Sequence, residues 1–253
     1  MFRNLSRQLA LLLFAALGLL TPRWVYATAI ANSTIAFSNL QITPSTGTII
    51  FLYDWTAEAF AQAQNSLGQL AQQFDSSFGG AAAANATVTF ATSAGNASAT
   101  NLTGSASSSV NIPGTTTAQA LSVGHGTLFN FFLITDGTGD VDVNFSVDLT
   151  GNLNVFTDAF GQLAQTETIF ALELEGNPIL FRDDILSIGP SSSSALAFSQ
   201  ALQDTRTLQF DTPYFVLAEA DSESQAINIP EPSTVTLMLA GLITLTRYIR
   251  RKT

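Results

Sequence analysis

The groups in this chain that could do chemistry are carboxylates and one imidazole: nineteen Asp and Glu, a single histidine, and no cysteine. His125 stands in Gly124-His125-Gly126, read here as a turn. A serine triad would need it as base, yet no Gly-x-Ser-x-Gly elbow supplies the nucleophile. One histidine without cysteine also falls short of the four nitrogen or sulfur ligands of a structural zinc site. A paired-acid glycosidase mechanism could draw on Glu173 and Glu175, expected on one strand face, or on the adjacent Asp183 and Asp184. Solvated strand faces explain these acids with fewer assumptions, so no catalytic residue is assigned and no enzyme is expected. A hard cation is the better functional alternative: Asp136, Asp140 and Asp142 crowd a Gly-rich turn, and calcium takes carboxylate and carbonyl oxygens. Their spacing matches neither the EF-hand nor the nonapeptide repeat. A plain hairpin turn with polar ends is the favoured reading, and calcium is the one cofactor that these residues would suit.

The elements that position these residues read as strands. From Asp140 to Leu149, Val141, Val143, Phe145, Val147 and Leu149 alternate with polar residues, the pattern of a sheet with one buried and one solvated side. This strand is expected to pair with Leu128 to Thr135 across Asp136-Gly137-Thr138-Gly139. Phe170 to Glu175 and Pro178 to Phe181 form a second hairpin across Gly176-Asn177, with Phe170, Leu172 and Leu174 inward. A third joins Thr34 to Ile42 and Thr48 to Tyr53 across Pro44-Ser45-Thr46-Gly47. Two further strands are expected around Thr207 to Phe210 and Tyr214 to Ala220, after a serine loop at Ser191 to Ser194.

Between residues 54 and 78 two periods compete. Phe60, Ala63, Leu67, Leu70, Phe74 and Phe78 form a helical stripe, while Trp55, Ala57, Ala59, Ala61 and Ala63 alternate with period two. Alanine and glutamine are good helix formers and poor strand formers, which favours an amphipathic helix near residues 58–74. Residues 79–120 are low in complexity, with 35 of 42 being Ala, Gly, Ser, Thr or Asn, and no Asp, Glu, Lys or Arg occurs from Ser76 to Thr135. Either a flexible tract or short strands of small residues fits, and the alternation in Thr87 to Phe90 and Ser109 to Ile112 favours strands. An uncharged, threonine-rich edge is also suited to pairing between chains. Many short strands with turn signals predict a mainly β fold, an antiparallel β-sandwich of jelly-roll-like kind.

Seven of the nine basic residues lie near the termini, leaving Arg182 and Arg206 against eighteen acids over residues 30–229, a formal charge of −16. Such a surface repels phosphate backbones, so nucleic acid is excluded as a partner. At the N-terminus, Arg3 and Arg7 precede the apolar run Leu9 to Leu20, and small residues follow at Ala27 and Ala29. This is the pattern of a secretory signal peptide over residues 1–29, its run too short to span a bilayer. Cleavage is expected after Ala29, with Ala27 the alternative. An exported chain without cysteine has no disulfide framework and must rely on burial, which residues 30–228 are numerous enough to provide.

The C-terminal residues 229–253 place three unlike elements in order: Pro230-Glu231-Pro232-Ser233-Thr234, an apolar run containing Gly241-Leu242, and a basic cluster of Arg247, Arg250, Arg251 and Lys252. This tail resembles the PEP-CTERM sorting signal of exported bacterial proteins. Prolines keep the triplet extended and readable by a processing enzyme. A membrane segment at about 233–249 would leave the basic cluster cytoplasmic and the body outside. The resemblance implies an exosortase-type membrane protease as partner, cleavage near the triplet, and delivery to the cell surface or an exopolysaccharide matrix of a Gram-negative bacterium. The expected function is a noncatalytic surface or matrix protein. The alternative is a polysaccharide- or calcium-binding module or adhesin, which exposed aromatics such as Trp55 and Tyr214 would support.

Overall fold

A computed structural model describes residues 28–228 except 115 and 159–161. Residues 1–27 of the expected signal peptide, Ala27 among them, the Pro230-Glu231-Pro232 triplet, the membrane segment and the basic cluster lie outside the described residues. The described residues form thirteen strands and no helix: β1 (Ala29–Pro44), β2 (Thr48–Phe51), β3 (Thr56–Asn65), β4 (Leu70–Phe78), β5 (Ala81–Val88), β6 (Ala91–Ser98), β7 (Thr103–Ile112), β8 (Ala118–Thr135), β9 (Asp140–Thr157), β10 (Gln162–Leu174), β11 (Asn177–Ile188), β12 (Ser192–Gln209) and β13 (Tyr214–Asn228). One sheet runs β12-β9-β1-β7-β6-β5 and the other β11-β10-β13-β8-β3-β4, with β2 added on β8. All pairings are antiparallel. The sheets pack face to face in the same lateral order, β5 against β3 and β4, β7 against β8 and β13, β9 against β10 and β11. The result is an antiparallel β-sandwich.

Side-chain size sets how the layers meet. At one end, alternating large residues interdigitate: Phe37 of β1 meets Phe170 of β10 with ring centroids 5.6 Å apart, and Phe132 of β8 meets Phe145 of β9 at 6.4 Å. All four rings are fully buried, each contributing roughly 1.5–3 kcal/mol by leaving water. At the other end the inward residues are Ala57, Ala59, Ala61 and Ala63 of β3 against Ala82, Ala84 and Ala86 of β5 and the Gly and Ser positions of β6 and β7. There the sheets approach backbone to backbone. A methyl on Gly95 of β6 would stand 2.6 Å from the Phe60 carbonyl oxygen, and one on Gly124 of β8 2.6 Å from that of Ser107. Between these zones, Ser33, Ser108, Ser222, Ser224 and Thr166 join hydroxyls across the core at 2.7–2.9 Å, so buried polar atoms find partners without large side chains.

The low-complexity tract forms β5, β6 and β7, as the alternation predicts. Valines and Phe145 of β9 are buried, and the β10–β11 hairpin is present with Phe170, Leu172 and Leu174 inward. Its turn is one residue earlier than expected, at Glu175-Gly176, both with positive φ (52° and 74°), the signature of a tight I′-like hairpin.

The helix expected near residues 58–74 is absent. Asn65 Oδ1 accepts hydrogen bonds from the amides of Leu67 and Gln69 and Gly68 takes φ +82°, folding that stretch into the β3–β4 turn. Alanine's helix preference is overridden because the period-two face of β3 packs against β5 and β6. Two expected hairpins are also corrected. β1 and β2 belong to opposite sheets, as do β8 and β9. Their turn signals are real, but the chain uses them to cross between layers. The serine loop is shorter than expected, since Ser192 already begins β12.

The edge of β5 is covered. Asp75 and Gln73 of β4 accept hydrogen bonds from the amides of Ala83 (2.9 Å) and Asn85 (2.7 Å), and Gln69 accepts from Thr89 (3.0 Å). Side chains of one sheet thus occupy backbone donors that would otherwise template pairing with another chain.

Candidate functional site

The outer faces of the two sheets differ in kind. On the β12-to-β5 sheet, one cross-strand row reads Ala195, Asn154, Asn32, Ser109, Thr92, Thr87, and the next two, from Ala197 to Asn85 and from Ser199 to Ala83, are equally small and uncharged. On the opposite sheet, Glu58, Glu167, Glu173, Asp183, Glu219, Asp221 and Glu223 all point outward on β3, β10, β11 and β13. The two arginines of the body lie elsewhere. Arg182 is ion-paired inward with Asp184 and stacks on Phe198, 3.8 Å from its ring centre, while Arg206 pairs with Asp204 at 2.7 Å.

His125 stands in the middle of this acidic face. Gly124-His125-Gly126 is not a turn but the centre of β8, and its glycines face inward where the sheets touch. Glycine is needed here for close backbone approach. That packing holds His125 outward beside β13, opposite Asp221 in register and diagonal to Glu219. Nδ1 is bonded to Asp221 Oδ1 and lies 3.2 Å from Glu219 Oε1, while Nε2 is 2.6 Å from Thr127 Oγ1. The three acid and imidazole side chains are each roughly 30% exposed, so the group is open to solvent on one side.

Electrostatics follows from that geometry. Burial disfavours the imidazolium, but the hydrogen bond and charge of Asp221, with Glu219 and Glu58 nearby, outweigh it and raise the His125 pKa. Glu219 is pushed up to about 7, first by burial, then by the hydrogen bond and charge of Asp221 and the charge of Glu173, against the opposing pull of His125. Glu167 is raised by burial and by Asp183, Glu223 and Asp221. The face carries more negative charge than its single imidazole can balance.

The residues singled out from sequence distribute differently. Asp140 and Asp142 lie on the exposed face of β9, where Asp142 accepts a hydrogen bond from Thr207 at 2.8 Å, and Asp136 occupies the preceding turn with φ +66°. Among the described residues, the group of three metal-ligating side chains within 4.8 Å of one another is His125, Glu219 and Asp221. Glu173 and Glu175 do not share a strand face: Glu175 has left the strand and its carboxylate caps the Phe215 amide. Asp183 and Asp184 point to opposite sides of β11. Glu219 and Asp221 were missed as partners of His125, although Glu219, Asp221 and Glu223 alternate in sequence and mark an acidic strand face.

Trp55 and Tyr214 are not exposed platform residues. Trp55 is 8% exposed and Tyr214 packs against the core beside Phe132. Another aromatic run takes that place at the end of the acidic sheet, where Tyr53, Phe131, Phe215 and Phe129 follow with successive centroid distances of 6.2, 5.1 and 6.1 Å. Tyr53 is 69% and Phe131 41% exposed.

Comparison with protein-family models, curated proteins and solved structures finds no match to this chain.

Proposed function

We propose that the protein is an exported, noncatalytic component of the cell surface or extracellular matrix, delivered by a secretory signal and sorted by an exosortase-type membrane protease. The observation that carries this reading is the ordered tail, with its Pro230-Glu231-Pro232 triplet, apolar run and basic cluster Arg247, Arg250, Arg251 and Lys252, opposite an N-terminal h-region. The sandwich supports it in two ways. Its cohesion comes from burial and hydroxyl contacts without cysteine, which suits an exported body. Seven of its acids share one open sheet face rather than forming an inward pair in a cleft. Ala29 is fully buried in β1, in register with Ile112 and Thr157, which supports signal cleavage after Ala27 over cleavage after Ala29.

The test replaces Pro230, Glu231 and Pro232 by alanine and compares mass and location in cells. Retention of the tail and accumulation at the inner membrane are expected. Unchanged mass and location would sink the sorting assignment.

A polysaccharide-binding role is the second reading, favoured by the exposed Tyr53–Phe131–Phe215 run, since flat rings offer apolar faces to sugars. Loss of retardation in polysaccharide-containing gels on Phe131→Ser with Tyr53→Ser would support it, and equal retardation would remove it.

A further inference from the structure

The geometry points to a divalent transition-metal site, of the zinc class, formed by His125, Glu219 and Asp221 on the outer face of β8 and β13. This is independent of how the protein is sorted. The donor set is one imidazole nitrogen and two carboxylate oxygens within 4.8 Å of one another. Zinc bonds of 2.0–2.1 Å in a tetrahedron place ligand atoms about 3.3 Å apart, and His125 Nδ1 and Glu219 Oε1 are 3.2 Å apart. The half-buried Asp221 carboxylate, bonded to the same Nδ1, lies within 4.8 Å of both other donor atoms. The fourth position faces solvent, as in open zinc sites with three protein ligands.

The second ring nitrogen supports the assignment. With Nδ1 as ligand, Nε2–H must be the donor of the other ring hydrogen bond, and Thr127 Oγ1 lies 2.6 Å from Nε2 to accept it. Such an outer partner fixes ring orientation and tautomer at metal sites. The setting also calls for a cation. Glu58 of β3, Glu173 and Glu167 of β10, Asp183 of β11 and Glu223 of β13 surround the group on the same face, and neither body arginine reaches it. The imidazole selects against calcium, which takes six to eight oxygens, and for the borderline ions that imidazole suits. On binding, the metal takes the place of the Nδ1 proton, which passes to solvent.

The experiment is titration of the purified, chelator-treated full-length chain with zinc chloride and, separately, calcium chloride, followed calorimetrically, with cobalt(II) absorption as a second readout. One zinc per chain is expected, with cobalt d–d bands. His125→Ala and Asp221→Asn should weaken zinc binding at least about 100-fold, and Thr127→Val, which leaves all three ligands in place, about tenfold. Asp142→Asn, on the exposed face of β9 in the other sheet, should bind as wild type. Circular dichroism checks that each variant is folded. The assignment is overturned if the wild type takes up no zinc, if a folded His125→Ala variant keeps its zinc affinity and cobalt bands, or if calcium binds as tightly as zinc.

Discussion

Gly124 of β8 and Ser107 of β7 face each other across the sandwich at backbone distance, so that a single methyl on Gly124 would sit 2.6 Å from the Ser107 carbonyl oxygen. The same contact that brings the sheets together points His125 the other way, onto the acidic face. Gly124→Ala is therefore expected to cost about 1–3 kcal/mol, through overpacking against backbone that has no room to yield. Urea denaturation measures it, with Gly68→Asn as control, since nothing lies within 4 Å of that turn position and asparagine tolerates its φ of +82°. Equal midpoints for Gly124→Ala and wild type would refute backbone-to-backbone packing.

At the opposite end large rings do the packing. Phe132→Ala should lose about 3–5 kcal/mol, the combined loss of burial and the cavity left behind. Phe78→Ser, at 79% exposure on β4, should change stability by less than about 0.5 kcal/mol. A reversed order in thermal or chemical denaturation would show that the layers are assigned the wrong way round.

The imidazole and carboxylate group makes stability depend on pH in a defined direction. Below about 4.5 Glu219 is protonated whether folded or not; between that and about 7 the folded chain keeps a proton that the unfolded chain has released. Stability contributed by this proton is lost as pH rises through that window. His125, also raised when folded, acts in the same sense. In chelator-containing buffer, the melting temperature of wild type relative to Glu219→Gln should fall from pH 5 to pH 8. A constant difference would contradict the burial and the Asp221 contact from which the direction is drawn.

The covered edge of β5 gives a prediction about association. Replacing Gln73 and Asp75 by alanine frees the amides of Asn85 and Ala83 and should speed concentration-dependent assembly, read by light scattering and thioflavin fluorescence. A double variant as soluble as wild type would mean that these side chains do not guard the edge.

Much of the architecture was legible because it rests on local alternation. Val141 to Leu149 announced a half-buried strand, and Phe170 to Phe181 a hairpin, since each pattern contains both its buried face and its turn. Residues 58–74 were misread as helix because the informative alternation, Ala57 to Ala63, consists of a residue that prefers helix when unpartnered. The β1–β2 and β8–β9 connections were misread for a related reason: a turn reverses the chain but does not say which sheet receives the next strand.

The sequence by itself determined the β class and the acidic body, and it alone carries the sorting proposal for the two termini, because composition, short-range periodicity and ordered motifs are properties of the chain alone. Only the tertiary structure decided that Gly124 and Gly126 are contact positions rather than turn residues, and that His125 meets Glu219 and Asp221 across 94 and 96 positions. Register between β8 and β13 makes that meeting. Register depends on which strands neighbour each other in the sheet, and that choice is set by long-range packing of the two layers.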